Sequence, residues 1–129
     1  MSRVALLLLA MSAVLPASAA DLRAEIMNAG EHAEYSSESA SLDDARYHLH
    51  HSLNCLVGPG GEGFDAKALD PCRGAGDGVI PDTRDAALAR TFRAAAKERA
   101  ALAEPDLAKV HADATEAAKA IVAALAQVK

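Results

Sequence analysis

The clearest pattern of apolar and polar positions lies between Ser41 and Gly58. At about 100° per residue, its leucines and one alanine fall on a single stripe, which predicts a helix surface facing a core. The members of this stripe are Leu42, Ala45, Leu49, Leu53 and Leu56. Ser41 is a favoured N-cap residue and Gly58 a favoured residue after a helix. We therefore predict a helix between these two positions.

Apolar stripes of the same period predict three further helices. The first runs from residue 21 to about residue 35, and a short polar connection joins it to the helix above. The third begins at Asp82 or Thr83 and continues to about Ala103. Pro105 suits the first turn of a fourth helix, whose apolar residues repeat every seven positions. The chain is thus predicted to be all-α, a small up-down-up-down four-helix bundle.

A long glycine-rich connection, residues 59–81, separates the second and third predicted helices. Cys55 at the end of the second helix and Cys72 within this connection are 17 positions apart. In an oxidising compartment they predict one disulfide that staples the loop and stabilises the fold by about 3 kcal/mol. The alternative is that Cys55 is a thiolate ligand of a metal.

The first twenty residues have the pattern of a secretory signal peptide. Arg3 precedes the apolar run 4–15, and small residues follow Pro16. Cleavage is expected after Ala19 or Ala20, leaving residues 21–129 as a single domain in the periplasm or medium of a bacterium. The apolar run is shorter than the about 20 residues of a membrane span, so no stable membrane insertion is expected after cleavage.

Charge is distributed unevenly along the chain. Residues 21–82 contain 12 acidic and 4 basic residues, whereas residues 83–129 contain 6 acidic and 8 basic residues. An acidic half that also carries most of the five histidines suits cations better than nucleic acid. Aromatic residues that could stack on bases are scarce, so no nucleic-acid partner is expected.

A second stripe on the predicted helix 41–58 carries potential metal ligands at spacings of four, three and four. Its members are Asp44, His48, His51 and Cys55. An antiparallel first helix would bring His32 close to the same region. The predicted metal site is therefore His32, Asp44, His48 and His51, with His111 of the fourth helix as an additional candidate ligand. Imidazole and carboxylate ligands suit Cu²⁺, Zn²⁺ or Ni²⁺.

Other readings of the same residues remain open. Haem b, with His32, His48 or His111 as axial ligand, is the weaker form of the metal hypothesis because the helix surfaces are small and poor in aromatics. Catalysis is not expected, since the His-Glu-x-x-His signature is absent and neighbours such as His51 and Ser52 point about 100° apart. The principal alternative is a non-catalytic envelope-stress or protein-interaction module with structural histidines. A histidine-based pH sensor is a third possibility.

Overall fold

A computed structural model describes residues 20–129, and these residues form an all-helical protein without a β-strand. The helices are α1 (Leu22–Glu38), α2 (Leu42–Val57), α3 (Val79–Asp82), α4 (Ala86–Ala95) and α5 (Leu107–Ala124). Two 3-10 segments, Ala96–Ala103 and Leu125–Gln127, extend α4 and α5. The all-α prediction is confirmed. The predicted signal peptide covers residues 1–20, and residues 1–19 lie outside the part of the chain that the structure describes.

Side-chain caps define where α1 and α2 begin. The Asp21 carboxylate accepts a hydrogen bond from Ala24 N at 3.0 Å, and the Ser41 hydroxyl accepts one from Asp44 N at 3.2 Å. At the other end of α2, Gly58 adopts φ +69°, a conformation that side chains disfavour. The predicted start and end of the second helix are therefore confirmed.

Small residues let α1 pack closely on both α2 and α5, its two most extensive neighbours. Ala29 and Ala33 are fully buried on α1. A Cβ atom at Gly30 would lie 2.9 Å from Val122 Cγ2 of α5, so a larger residue would push these helices apart. The glycine that interrupts the apolar stripe of α1 thus marks a close helix contact.

The prediction that the third helix begins at Asp82 or Thr83 is wrong. The helix α4 begins after Asp85, whose carboxylate accepts a hydrogen bond from Leu88 N at 2.8 Å. The two residues predicted as caps are engaged with the preceding segment instead: Asp82 Oδ2 accepts a hydrogen bond from Asp77 N, and the Thr83 hydroxyl donates to Val79 O. Both contacts fix the short helix α3, so neither side chain is available to α4.

The third predicted helix continues to Ala103 as predicted, but its last part is not an α-helix. The chain changes from an α-helix to a 3-10 helix at Ala96 and ends at Ala103. The 3-10 segment packs on α2, while α4 packs on α5. Within residues 20–129, no helix combines the length and the apolar character needed to cross a membrane.

The long connection after α2 is tied to the helix by covalent and polar contacts. Cys55 and Cys72 lie at disulfide distance, with Cα atoms 5.1 Å apart. Immediately before Cys55, the buried Asn54 amide donates to Asp65 O at 2.9 Å and to Leu69 O at 3.1 Å, and its oxygen accepts from Asp65 N at 2.9 Å. The predicted stapling of this loop is therefore supported by an additional polar clamp.

A carboxylic acid, Glu98 of the 3-10 segment, is buried against α2. The Ser52 hydroxyl lies 2.8 Å from Ala29 O and 2.9 Å from Glu98 Oε1, and the other oxygen of Glu98 has no hydrogen-bond partner within residues 20–129. A hydroxyl has a single proton to donate, so both contacts are hydrogen bonds only when Glu98 is protonated and donates to Ser52. Burial raises the pKa of Glu98 to about 8, with the Ser52 contact opposing the shift.

Replacing Glu98 with Gln should therefore change the pH dependence of stability. The native state of the wild type retains a proton between about pH 4.5 and pH 8 that the unfolded chain has lost. As pH rises across that range, the free energy of unfolding of the wild type, relative to that of Glu98→Gln, should fall by about 1.4 kcal/mol per pH unit. Urea unfolding at several pH values measures the difference. The exposed Glu116→Gln change is the control, and a pH-independent difference for Glu98→Gln would contradict a buried neutral acid.

Candidate metal centre

The three-residue connection between α1 and α2 makes these helices neighbours and sets their register. Ser36 near the end of α1 donates a hydrogen bond to Ala45 O of α2 at 2.8 Å. Seven residues further along each helix, Ser52 of α2 approaches Ala29 O of α1 at 2.8 Å. His32 lies between the two bonded positions on α1, and His48 and His51 lie between those on α2. The histidines are thus held face to face across the seam.

One nitrogen from each of His32, His48 and His51 can be chosen so that all three lie within 4.8 Å of one another. The Nδ1 atoms of His32 and His48 are 3.3 Å apart. Two nitrogens on one tetrahedral Zn²⁺, at about 2.0–2.1 Å from the metal, are separated by about 3.3–3.4 Å. The group could therefore hold a metal ion, and its first two nitrogens already have the spacing of shared ligands.

His51 is the most informative member of the group because it is only 1% exposed. Neither of its ring nitrogens has a hydrogen-bond partner among the described residues. Buried polar atoms are nearly always paired, so an imidazole with two unpaired nitrogens calls for an explanation. The Tyr47 ring covers it edge-on, with ring centroids 4.1 Å apart.

Burial and neighbouring imidazoles keep His32 and His51 neutral. Burial, followed by the nearby His32, His48 and His50, lowers the pKa of His51 to about 4. Burial also lowers the pKa of His32, followed by the effect of His48, while Glu31 opposes the shift. At neutral pH both rings are therefore uncharged, and a neutral imidazole is the form that binds a metal.

Asp44, predicted as a ligand, lies beside the group rather than in it. Its Oδ1 atom is 3.8 Å from His48 Nε2, the ring nitrogen other than the Nδ1 that faces His32. A carboxylate on the outer nitrogen of a metal-binding histidine orients the ring and increases its basicity. The structure thus places Asp44 where it could support His48.

The remaining histidines are engaged elsewhere. His111 Nε2 is 2.9 Å from Ser39 O, so this candidate ligand contacts a backbone carbonyl at the end of α1. His50 Nδ1 is 3.6 Å from Asp65 Oδ2 in the long connection, within ion-pair range but without a hydrogen-bond partner among the described residues. Neither residue belongs to the group formed by His32, His48 and His51.

The sulfur alternative is not supported. Cys55 lies at disulfide distance from Cys72, and a disulfide leaves no thiolate for a metal. Asp70 stands close to both sulfur atoms, but its Oδ1 accepts a hydrogen bond from Cys72 N at 3.0 Å, which accounts for that proximity.

Two tyrosines that the sequence analysis did not assign to the site enclose it. The Tyr35 ring packs against His48 with centroids 5.3 Å apart, and Tyr47 packs against both His48 and His51. Tyr35 is 43% and Tyr47 57% exposed, so they stand on the solvent side of the histidines. Helical spacing could have indicated both, because Tyr35 follows His32 by three positions and Tyr47 precedes His51 by four.

Comparison with protein-family models, with curated proteins and with solved structures gave no match.

Replacing His51 with Leu should stabilise the metal-free protein, because the change removes two buried nitrogens without partners. At pH 7 we expect the free energy of unfolding to rise by about 1–3 kcal/mol. The difference in unfolding free energy between the variant and the wild type should widen as pH falls from about 6.5 to about 4. In that range the unfolded wild-type chain binds a proton at His51 that the native state excludes.

Chemical denaturation with chelator present measures both effects. His50→Leu is the matched control, since His50 is adjacent in sequence but has an acidic neighbour, Asp65, at 3.6 Å. A His51→Leu protein that is markedly less stable than the wild type at pH 7 would show that the His51 nitrogens are satisfied.

Proposed function

We propose that this protein binds one transition metal ion through His32, His48 and His51. The observation that carries the proposal is the buried His51 ring, whose unpaired nitrogens stand next to two more imidazoles. A metal would accept the lone pair of one His51 nitrogen and would replace the close Nδ1 contact between His32 and His48. A purely structural role accounts for that contact but not for the unpaired nitrogens of His51.

The donor set favours Zn²⁺ or Cu²⁺ over harder cations. Imidazole suits zinc, copper and nickel, whereas magnesium and calcium require oxygen ligands. Among residues 20–129, no carboxylate or thiolate joins the three nitrogens in the group. A four-coordinate metal would then keep one position for water or another small ligand, on the side where Tyr35 and Tyr47 reach solvent.

We further propose that the metal is bound outside the cytoplasm and that the role is binding rather than catalysis. The signal-peptide pattern of residues 1–20 and the Cys55–Cys72 pair support export. The absence of a hydrolase signature from the sequence supports a role in metal binding, storage or sensing. Packing of α1 on α2 and α5, of α4 on α5, and of the 3-10 segment on α2 and α5 supports a four-helix bundle as the scaffold.

Metal titration of the tag-free chain tests the proposal. Native mass spectrometry and calorimetry should show one equivalent of Zn²⁺ or Cu²⁺ bound at neutral pH. His48→Ala should weaken binding by more than about 100-fold, beyond the range expected for a residue that only supports a ligand. Asp44→Asn should weaken it by about tenfold, because it removes only the carboxylate beside His48 Nε2.

His50→Ala provides the matched control because His50 lies between the proposed ligands in sequence but outside the group in space. It should bind the metal as the wild type does. Equal binding by the wild type and His48→Ala, or no stoichiometric binding at all, would contradict the proposal.

A further inference from the structure

A second candidate site lies at the C-terminal end of α2, away from the three histidines. A cleft of about 870 Å³ opens there between two parts of the long connection, residues 59–62 and 77–83, and the junction of α4 with the 3-10 segment. This volume is within the range of small-molecule binding sites, about 300–1,000 Å³. None of the proposed metal ligands lines the cleft.

The walls of the cleft are held in place by close backbone contacts. Gly58 and Gly78 both have positive φ, and a Cβ atom on either would collide with the backbone of the other segment. Gly78 N also donates a hydrogen bond to the buried Glu25 Oε1 at 2.9 Å. With the disulfide and the Asn54 clamp, these contacts pre-form the cleft before any ligand arrives.

The interior of the cleft is mostly apolar, with Val57, Ile80 and Ala96 among its lining residues. Two exposed cations, Arg93 and Lys97, line it from the α4 side. They lie on either side of the change from the α-helix to the 3-10 helix at Ala96, and both side chains line the same cleft. Neither forms a hydrogen bond or ion pair within the part of the chain that the structure describes.

The other charged residues of the cleft limit what it can accept. Arg99 is paired with Glu62 at 2.8 Å, so neither contributes a free charge. Asp77 adds one negative charge on the opposite wall. The lining side chains therefore carry a net charge of about +1, which favours a single negative charge over a multiply charged phosphate ester.

We propose that this cleft binds a small amphipathic monoanion, a carboxylate with an apolar body. Arg93 and Lys97 bind the carboxylate by charge-assisted hydrogen bonds. The apolar body lies against Val57 and Ile80, where its removal from water contributes to affinity. Asp77 directs the carboxylate to the α4 side by repulsion. This site is independent of the metal site, because the two share no residue.

Calorimetric titration with decanoate tests the proposal, with decanol as the uncharged analogue and inorganic phosphate as an anion without an apolar body. The full chain should bind one equivalent of decanoate. Decanol and phosphate should each bind at least about tenfold more weakly, because each lacks one of the two recognised features.

The double variant Arg93→Ala, Lys97→Ala should weaken decanoate binding by about tenfold or more and leave decanol binding unchanged. The control variant Arg84→Ala, Arg90→Ala removes the same net charge from exposed residues outside the cleft and should bind decanoate as the wild type does. Equal losses in the two variants would overturn the proposal, since they would show attraction by net charge alone.

Two further results would also overturn it: decanol binding as tightly as decanoate, or no decanoate binding at millimolar concentration. Repeating the titration with His48→Ala separates this site from the metal proposal. Decanoate binding should persist in that variant whether or not the wild type binds a metal.

Discussion

The seam between α1 and α2 is held by two serine hydroxyls, each close to a backbone carbonyl of the opposite helix. Ser36 binds Ala45 O, and Ser52 approaches Ala29 O, both at 2.8 Å. Two such contacts at separate points fix both the sliding and the rotation of one helix against the other. The histidines lie between these points, so their convergence depends on this register. Buried alanines along the seam allow the close approach that serine, with its short side chain, can span.

Much of this half of the molecule can be predicted from the sequence because local rules determine it. The leucine stripe, the Ser41 cap and the Gly58 stop are set by residues within a few positions of one another. The pairing of Cys55 with Cys72 needs only two cysteines and an oxidising environment. The start of α4 was predicted wrongly because Asp82 and Thr83 have the right chemistry for a cap but use it on α3. Sequence shows which side chains can cap a helix, but not which backbone group they will bind.

The same distinction applies to the candidate site. Spacing along one helix places His48 and His51 on a common face, and a short connection brings His32 to them. Whether a fourth side chain joins depends on helix rotation and on competing partners. Asp44 is turned to the outer nitrogen of His48, and His111 is occupied by Ser39 O. The cleft near Val57 could not be anticipated at all, because it depends on how two glycine-containing segments of a long loop approach each other.

The three histidines lie close together along the chain, which affects the order in which the protein can fold. His32 and His48 are 16 positions apart, and all three donors belong to one helical hairpin, residues 22–57. Closing so short a loop costs little chain entropy, and local contacts of this kind form early and quickly. All three proposed ligands lie in this hairpin, so a metal ion bound there early in folding, outside the cytoplasm as proposed, would act as a folding nucleus. The remaining helices would then assemble on a hairpin that is already cross-linked.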